Sequence, residues 1–344
     1  MNRVDITLAS GNKFTQHEPS KLEYYMSFSS KADFLIYEIG LYDVFSLSPY
    51  DEVTFSILPS VGQAVTFKGY LYSKENVGRA NRVRLHFVSK YFKSLSSMEP
   101  LFGKGNLVDI AASLYSRTGV KQVIADTTNS AVDSIMFPRT TRLDDAIGYL
   151  LNRATTPEGS YLLGTIVGDF AFIRDIKKGK EDIKGTPTQN SDGTTGYVNG
   201  LYYIPMQVHD NRLKVDAEGG LSMTVVSDAS NADKIVFSSA GSNKIINQMF
   251  YGISDNLLFK AAARIVQLKT YYSAYTAVLS VIGNIPLMGS NLIVDAADFA
   301  SSNTWFRTLD TGKYFINSQA LFIDFKQSYP KTQIGIQLID DKVL

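Results

Sequence analysis

The segment 275-YTAVLSVIGNIPLMGSNLIVDAADF-299 opens as a strand, with apolar and polar residues alternating through YTAVLSVI. Gly283, Pro286 and Gly289 then break the alternation before NLIV resumes it. Glycine frees the backbone and proline fixes φ, so these three residues predict a tight reversal between two strands. Upstream, SDNLLFKAAARIVQLKTYY (254–272) has helical spacing, with Leu258, Ala261, Ala262, Ile265 and Leu268 on one face. Downstream, GKYFINSQALFIDFKQSYPKTQIGIQLID (312–340) reads as a long hairpin turning at 327–331.

The same strand signal dominates the N-terminal third. DEVTFSI (51–57), AVTFKGYLYS (64–73) and NRVRLHFVSK (81–90) form a run of strands, with the turn KENVGRA before the last. In that last strand Val83, Leu85 and Phe87 point one way and Arg82, Arg84 and His86 the other. RVRLHFV and QIGIQLI match as the final strands of two similar units, with Val83, Leu85 and Phe87 against Ile334, Ile336 and Leu338. Any two amphipathic hairpins can match this way, so the pattern leaves both a repeat and a coincidence open.

Between these regions the period changes. GNLVDIAASLYSRTG (105–119) predicts a helix capped by Asn106 and ended by Gly119. TRLDDAIGYLLNRA (141–154) predicts a second helix, with Thr141 and Asp144 as a capping box. SYLLGTIVGDFAFIRDI predicts a hairpin turning at Gly168 and Asp169. Residues 177–200 are polar and rich in Gly and Thr, and read as a loop. The expected division is therefore a first β-barrel domain (1–97), an inserted α+β domain (98–200) ending in that loop, and a second β-barrel domain (201–344) with a strand-rich insertion around 211–250. The fold class is α+β, predominantly β.

Bulk composition narrows the function. The chain has 344 residues, 44% of them hydrophobic and 12% aromatic, enough for two or three β-rich domains. A net charge of +1 argues against a protein held to nucleic acid by its overall field. There is no cysteine, which removes disulfides, thiolate nucleophiles and cysteine metal sites. MNRVDITLAS lacks the apolar core of a signal peptide, and no apolar run approaches the ~20 residues of a membrane span, so a soluble product made in the cytoplasm is expected.

Chemistry-bearing patterns are sparse. His17, His86 and His209 are scattered, which argues against a zinc site. GKGNLV (103–108) lacks the third glycine of a dinucleotide fingerprint and the Lys-Ser/Thr of a P-loop. Asp144 and Asp145 lie about 100° apart on a helix and complement its dipole. Trp305 reads as a core or interface residue. No catalytic residue, cofactor or metal is expected. Charge is uneven: residues 21–59 hold six acids against two lysines, and 61–105 hold eight bases against two acids. The bases form local ion pairs on a solvated face, or Arg79, Arg82, Arg84 and His86 meet a partner or another copy, or, least readily, the segment offers a nucleic-acid surface.

The order of features resembles the baseplate hub proteins of contractile-tailed bacteriophages, and is similar to hub modules of type VI secretion spikes and late-control tail proteins. The resemblance rests on the capped helix and hairpin of FPRTTRLDDAIGYLLNRATTPEGSYLLGTIVGDFAFIRDI and on the C-terminal run marked by Gly283, Pro286, Gly289, Gly312 and Tyr314. It implies a homotrimer in which two similar barrels per chain form a pseudo-sixfold ring. That ring would join the hexameric tail tube to a trimeric central spike and pass DNA. The implied partners are tail tube, spike, baseplate wedge and tape-measure proteins, the implied place is the virion's distal tail end, and no stable membrane association is implied. A glycan-binding or adhesin module of a virion, and less readily a hydrolase with dispersed carboxylates, are the alternatives.

Overall fold

The computed structural model describes residues 2–11, 13–14, 20–40, 47, 51–78, 81–126, 131–154, 156, 160–187, 201–212, 223–227, 246–250, 265, 268–269, 271–295 and 309–340. The first barrel follows the alternation. It comprises β1 (Arg3–Leu8), β2 (Lys13–Phe14), β3 (Lys21–Ser27), β4 (Phe34–Gly40), β5 (Glu52–Leu58), β6 (Val65–Asn76) and β7 (Arg82–Ser89), in the order β3-β4-β7-β6-β5-β1-β2. Neighbours are antiparallel throughout. Val83, Leu85 and Phe87 point inward as the sequence implies, and edge-to-face contacts of Phe55 with Phe87 (4.8 Å) and with Tyr37 (5.7 Å) bind the core across strands.

The inserted unit follows: α1 (Phe92–Leu95), β8 (Leu101–Asn106), α2 (Leu107–Arg117), β9 (Gln122–Ala125), β10 (Ala131–Phe137), α3 (Leu143–Leu151), β11 (Leu162–Val167) and β12 (Phe170–Asp175). β8 pairs with β10, and β11-β12-β9 form a small mixed sheet. Asn106 caps α2 as expected, its side-chain oxygen accepting from the Val108 N–H at 2.8 Å. The hairpin β11–β12 turns at Gly168 and Asp169, with Gly168 at φ +58°. The capping box at Thr141 does not form. The N-cap of α3 is Arg142, without a side-chain cap bond, because the Asp144 carboxylate is taken by Lys31 and Arg142.

The second barrel starts earlier than position 201. Within the expected loop 177–200, residues of β13 (Asp182–Pro187) form a strand, and 188–200 lie outside the described residues. The strand is hard to read locally because it contains Gly and Pro and buries a single large apolar side chain, Ile183. β14 (Leu201–Asp210) follows, then the parallel pair β15 (Met223–Ser227) and β16 (Ile246–Phe250), then β17 (Tyr275–Ile282), β18 (Asn291–Val294), β19 (Gly312–Asp324) and β20 (Lys331–Asp340). The sheet order β18-β13-β14-β17-β20-β19, with β19 pairing back to β18, closes a six-stranded barrel. Of the expected 254–272 helix, Ile265 and Leu268 are helical and buried, while Leu258, Ala261 and Ala262 lie outside the described residues.

The opening stretch is not a hairpin. β17 pairs with β14 and β20, and β18 with β13 and β19, so the two strands stand on opposite walls. Residues 283–290 cross the barrel mouth and drop Leu287, fully buried, into the core. Buried Gln319 holds this crossing: its carbonyl oxygen accepts from the N–H groups of Leu287 (2.9 Å) and Met288 (3.2 Å), and its amide donates to the Ile285 carbonyl (2.7 Å). Asn284 also bonds to the first barrel, donating to the Val61 carbonyl (3.0 Å) and accepting from the Gln63 N–H (2.8 Å). Gly62 is required there: its φ is +102°, and a Cβ would lie 2.2 Å from the Asn284 oxygen.

The repeat appears in the topology. β3-β4-β7-β6-β5 and β14-β17-β20-β19-β18 have the same spatial order, the same chain order and antiparallel neighbours. The sixth place differs: β1 is antiparallel to β5, whereas β13 is parallel to β18. β6 and β19 share a register shift, between Leu71 and Ser73 and between Ile316 and Ser318. Aligning the shifts matches Leu85, Phe87 and Ser89 with Ile334, Ile336 and Leu338, two residues away from the match expected of the sequence. A bulge adds a residue that hydrophobic patterning does not mark.

Replacing Gln319 with Leu strands three backbone polar groups at the barrel mouth. The expected loss in urea unfolding is about 2–4 kcal/mol. A change within about 0.5 kcal/mol, the range of ordinary surface substitutions, would contradict this role.

Candidate assembly interface

The outer face of the first barrel carries Arg82, Arg84 and His86 of β7, all half-buried; Arg79 lies outside the described residues. Strand register sets a row of alternating charge across this face: Asp324, Lys21, Glu38, Arg84 and Glu75 stand on successive strands. Arg84 lies 3.9 Å from Glu38, and His86 lies 3.4 Å from Glu75. Cross-strand opposites of this kind stabilise the sheet modestly and neutralise its face. Gly283, Pro286 and Gly289 are elsewhere, at the mouth of the second barrel, where Gly283 and Gly289 take φ of +88° and +84°.

Other bases of the 61–105 segment hold the inserted unit. The β11–β12 turn reaches the first barrel, where the Asp169 carboxylate accepts from Lys68 (3.1 Å), Lys90 (3.0 Å) and the Tyr91 hydroxyl (2.9 Å). Partial burial pushes this carboxyl up, but the bonds from Lys90, Tyr91 and Lys68 outweigh it and bring the pKa down to about 2. Beside it, the buried Asp33 accepts from the Tyr24 hydroxyl (2.6 Å) and the Gly168 N–H (2.9 Å). Burial pushes the Asp33 carboxyl up to about 6, against hydrogen bonds from Tyr24, Gly168 and Ser89 that favour the charged form. The backbone joins in, with the Asp33 N–H donating to Ile166 and the Ile166 N–H to Lys31.

Two strand edges were not singled out by sequence. Among the described residues, 73–76 of β6 and 204–210 of β14 each pair on one side, with β7 and with β17. Tyr72 beside the first edge and Met206 within the second are 68% and 58% exposed. Pro205 was the available signal for β14, since proline within a strand marks an edge. The charges Lys74 and Glu75 do the same for β6. An apolar cavity of about 350 Å³ lies between inserted unit and barrels, lined by Met26, Phe28, Phe170, Phe172 and Met288 among others. Among the described residues no group of His, Asp and Glu could hold a metal ion, and no helix is long and apolar enough to cross a membrane.

No family model and no curated protein matches the chain in sequence. Solved structures do match in fold. A tail protein from Neisseria meningitidis MC58 aligns with a TM-score of 0.63 at 15% identity, over 98% of this chain and 96% of its own. The 43 kDa tail protein of prophage MuSo2 from Shewanella oneidensis aligns with a TM-score of 0.63 at 12% identity, over 98% and 99%. An Escherichia coli component of the type VI secretion system, described as similar to the T4 tail proteins gp27 and gp5, aligns with a TM-score of 0.51 at 10% identity, over 97% and 76%. The chain therefore has the fold of phage tail proteins and of a type VI secretion component, in line with the resemblance of its sequence.

The two aspartates carry opposite pH dependences. Asp33 binds its proton up to about pH 6 when folded, against an ordinary 3.8, so stability falls as pH rises through that window. Asp169 titrates near 2 when folded, so its contribution is complete above about pH 4 and is lost as pH falls toward 2. In chemical denaturation across pH 2–8, Asp33→Asn is expected to flatten the decline between about pH 4 and 6, and Asp169→Asn the acid limb. Profiles unchanged by either substitution would contradict the assignment.

Proposed function

We propose that this chain is a structural baseplate hub protein of a contractile phage tail. Three copies form a ring in which the two barrels of each chain occupy successive places, giving six similar positions toward the hexameric tail tube and three toward the trimeric central spike. The observation that carries this reading is the repeat itself: two barrels of one strand order are joined edge to edge within a chain by β19 and β3. That arrangement is a two-position segment of a ring, and heterologous contacts of this kind close when the rotation allows. The fold shared with phage tail proteins supports the same setting.

In this reading the protein works at the distal end of the tail tube, with baseplate wedge and tape-measure proteins as further neighbours and phage DNA passing through the lumen. Its role is architectural rather than catalytic. Arg82, Arg84 and His86 lie toward a subunit or tube contact instead of a tight DNA site, since strong attraction would slow passage. Gly283, Pro286 and Gly289 shape the crossing that braces one barrel against the other.

Native mass measurement is expected to find a three-chain particle that binds tube and spike proteins. Charge reversal at both Arg82 and Arg84 is expected to reduce the assembled fraction. A persistent monomer that joins neither tube nor spike would overturn the hub reading. Normal assembly of the charge-reversed protein with a defect only in DNA ejection would overturn the interface assignment.

A further inference from the structure

The repeat predicts a seam that a single chain cannot make. Within the chain, residues 318–324 of β19 run past the second barrel and pair antiparallel with β3 of the first. The equivalents of β19 and β3 in the other barrels are β6 and β14. Among the described residues, 73–76 of β6 pair only with β7, and 204–210 of β14 only with β17, the contact with β13 ending at Tyr203. Among the described residues, each strand thus has an open edge where its equivalent is filled. In the sheet order, β17-β20-β19-β3-β4-β7 stand between β14 and β6, so the two edges face away on opposite flanks of one molecule.

The register of the missing contact follows from the existing one. The shared bulge sets Ser73, Lys74, Glu75 and Asn76 in the places of Ser318, Gln319, Ala320 and Leu321. The pairs Leu35–Phe87 and Ala277–Ile336 are equivalent, which sets Val208, His209 and Asp210 in the places of Tyr24, Tyr25 and Met26. Since Gln319 faces Met26 and Ala320 faces Tyr25, the transfer puts Lys74 opposite Asp210 and Glu75 opposite His209. Backbone pairing and bulge position alone thus set a lysine against an aspartate and a glutamate against a histidine.

We propose that β6 of one copy adds antiparallel to β14 of the next, with Lys74 opposite Asp210 and Glu75 opposite His209. Main-chain bonds across the open edges supply the contact and the charged pairs fix its register. The bulge residues Tyr72, beside the β6 edge, and Met206, within the β14 edge, lie along the seam. In the free chain Lys74 donates to the Leu47 carbonyl, Glu75 meets His86, and Asp210 holds Arg212 at 2.7 Å. The Asp210 and Glu75 contacts are exposed, and such pairs exchange at little cost. The inference rests on the ring reading and specifies which edges close it.

The chain has no cysteine, so a pair of introduced cysteines reports the seam directly. Directly opposed residues meet the ~4.4–6.8 Å Cα separation that a disulfide needs. Under mild oxidation, Lys74→Cys with Asp210→Cys, or Glu75→Cys with His209→Cys, is expected to give covalent oligomers. The offset control Lys74→Cys with Val208→Cys is expected to remain uncrosslinked. Independently, Lys74→Asp should weaken assembly about tenfold or more, and adding Asp210→Lys should restore it. A particle of normal mass with neither crosslink nor charge-swap rescue overturns the seam and leaves the ring reading standing. A protein that does not assemble overturns both.

Discussion

Strand β19 belongs to two barrels at once, and the rest of the architecture depends on that sharing. Its first part closes the second barrel against β18, and its residues 318–324 pair with β3 of the first. A straight strand could not serve both, because side chains alternate with period two and each barrel demands its own inward set. The bulge at Asn317 resolves the conflict: Tyr314 and Ile316 fill the second core, and Leu321 and Ile323 the first. Gln319 sits at the changeover and ties the crossing 285–288 to the same strand. The two barrels are thus joined by continuous backbone pairing rather than by a linker.

The inserted unit is attached by another kind of contact. Its hairpin tip offers Asp169 to Lys68 and Lys90 and the Gly168 N–H to Asp33. Three of the eight bases between residues 61 and 105 are engaged by carboxylates inside the molecule: Lys68 and Lys90 by Asp169, and Arg84 by Glu38. A surface neutralised in this way suits assembly through strand edges and local registers better than through a broad electrostatic field.

Local features were legible in the sequence. The alternation of Val83, Leu85 and Phe87, the Asn106 cap and the Gly168–Asp169 turn each depend on residues close in the chain, and each formed as read. What escaped depended on distant partners. Nothing in 275–294 says that β17 and β18 pair with other strands instead of each other. β13 hides because two neighbours stabilise it through backbone pairing and it buries few apolar groups of its own. Asp144 was a reasonable capping partner for Thr141 until Lys31, more than a hundred residues earlier, claimed it. Among the described residues, the one-sided pairing of 73–76 and 204–210 depends on where β5 and β13 stop, which no local pattern marks.

One chain carrying two versions of a unit can meet sixfold and threefold neighbours without changing shape, provided the versions sit at equal intervals around an axis. Electron cryo-microscopy of the assembled particle is expected to show six barrels around one lumen, alternating between first and second type, with strands continuous from barrel to barrel. A particle in which the second barrel leaves the ring, or in which copies stack into an open filament, would contradict this arrangement.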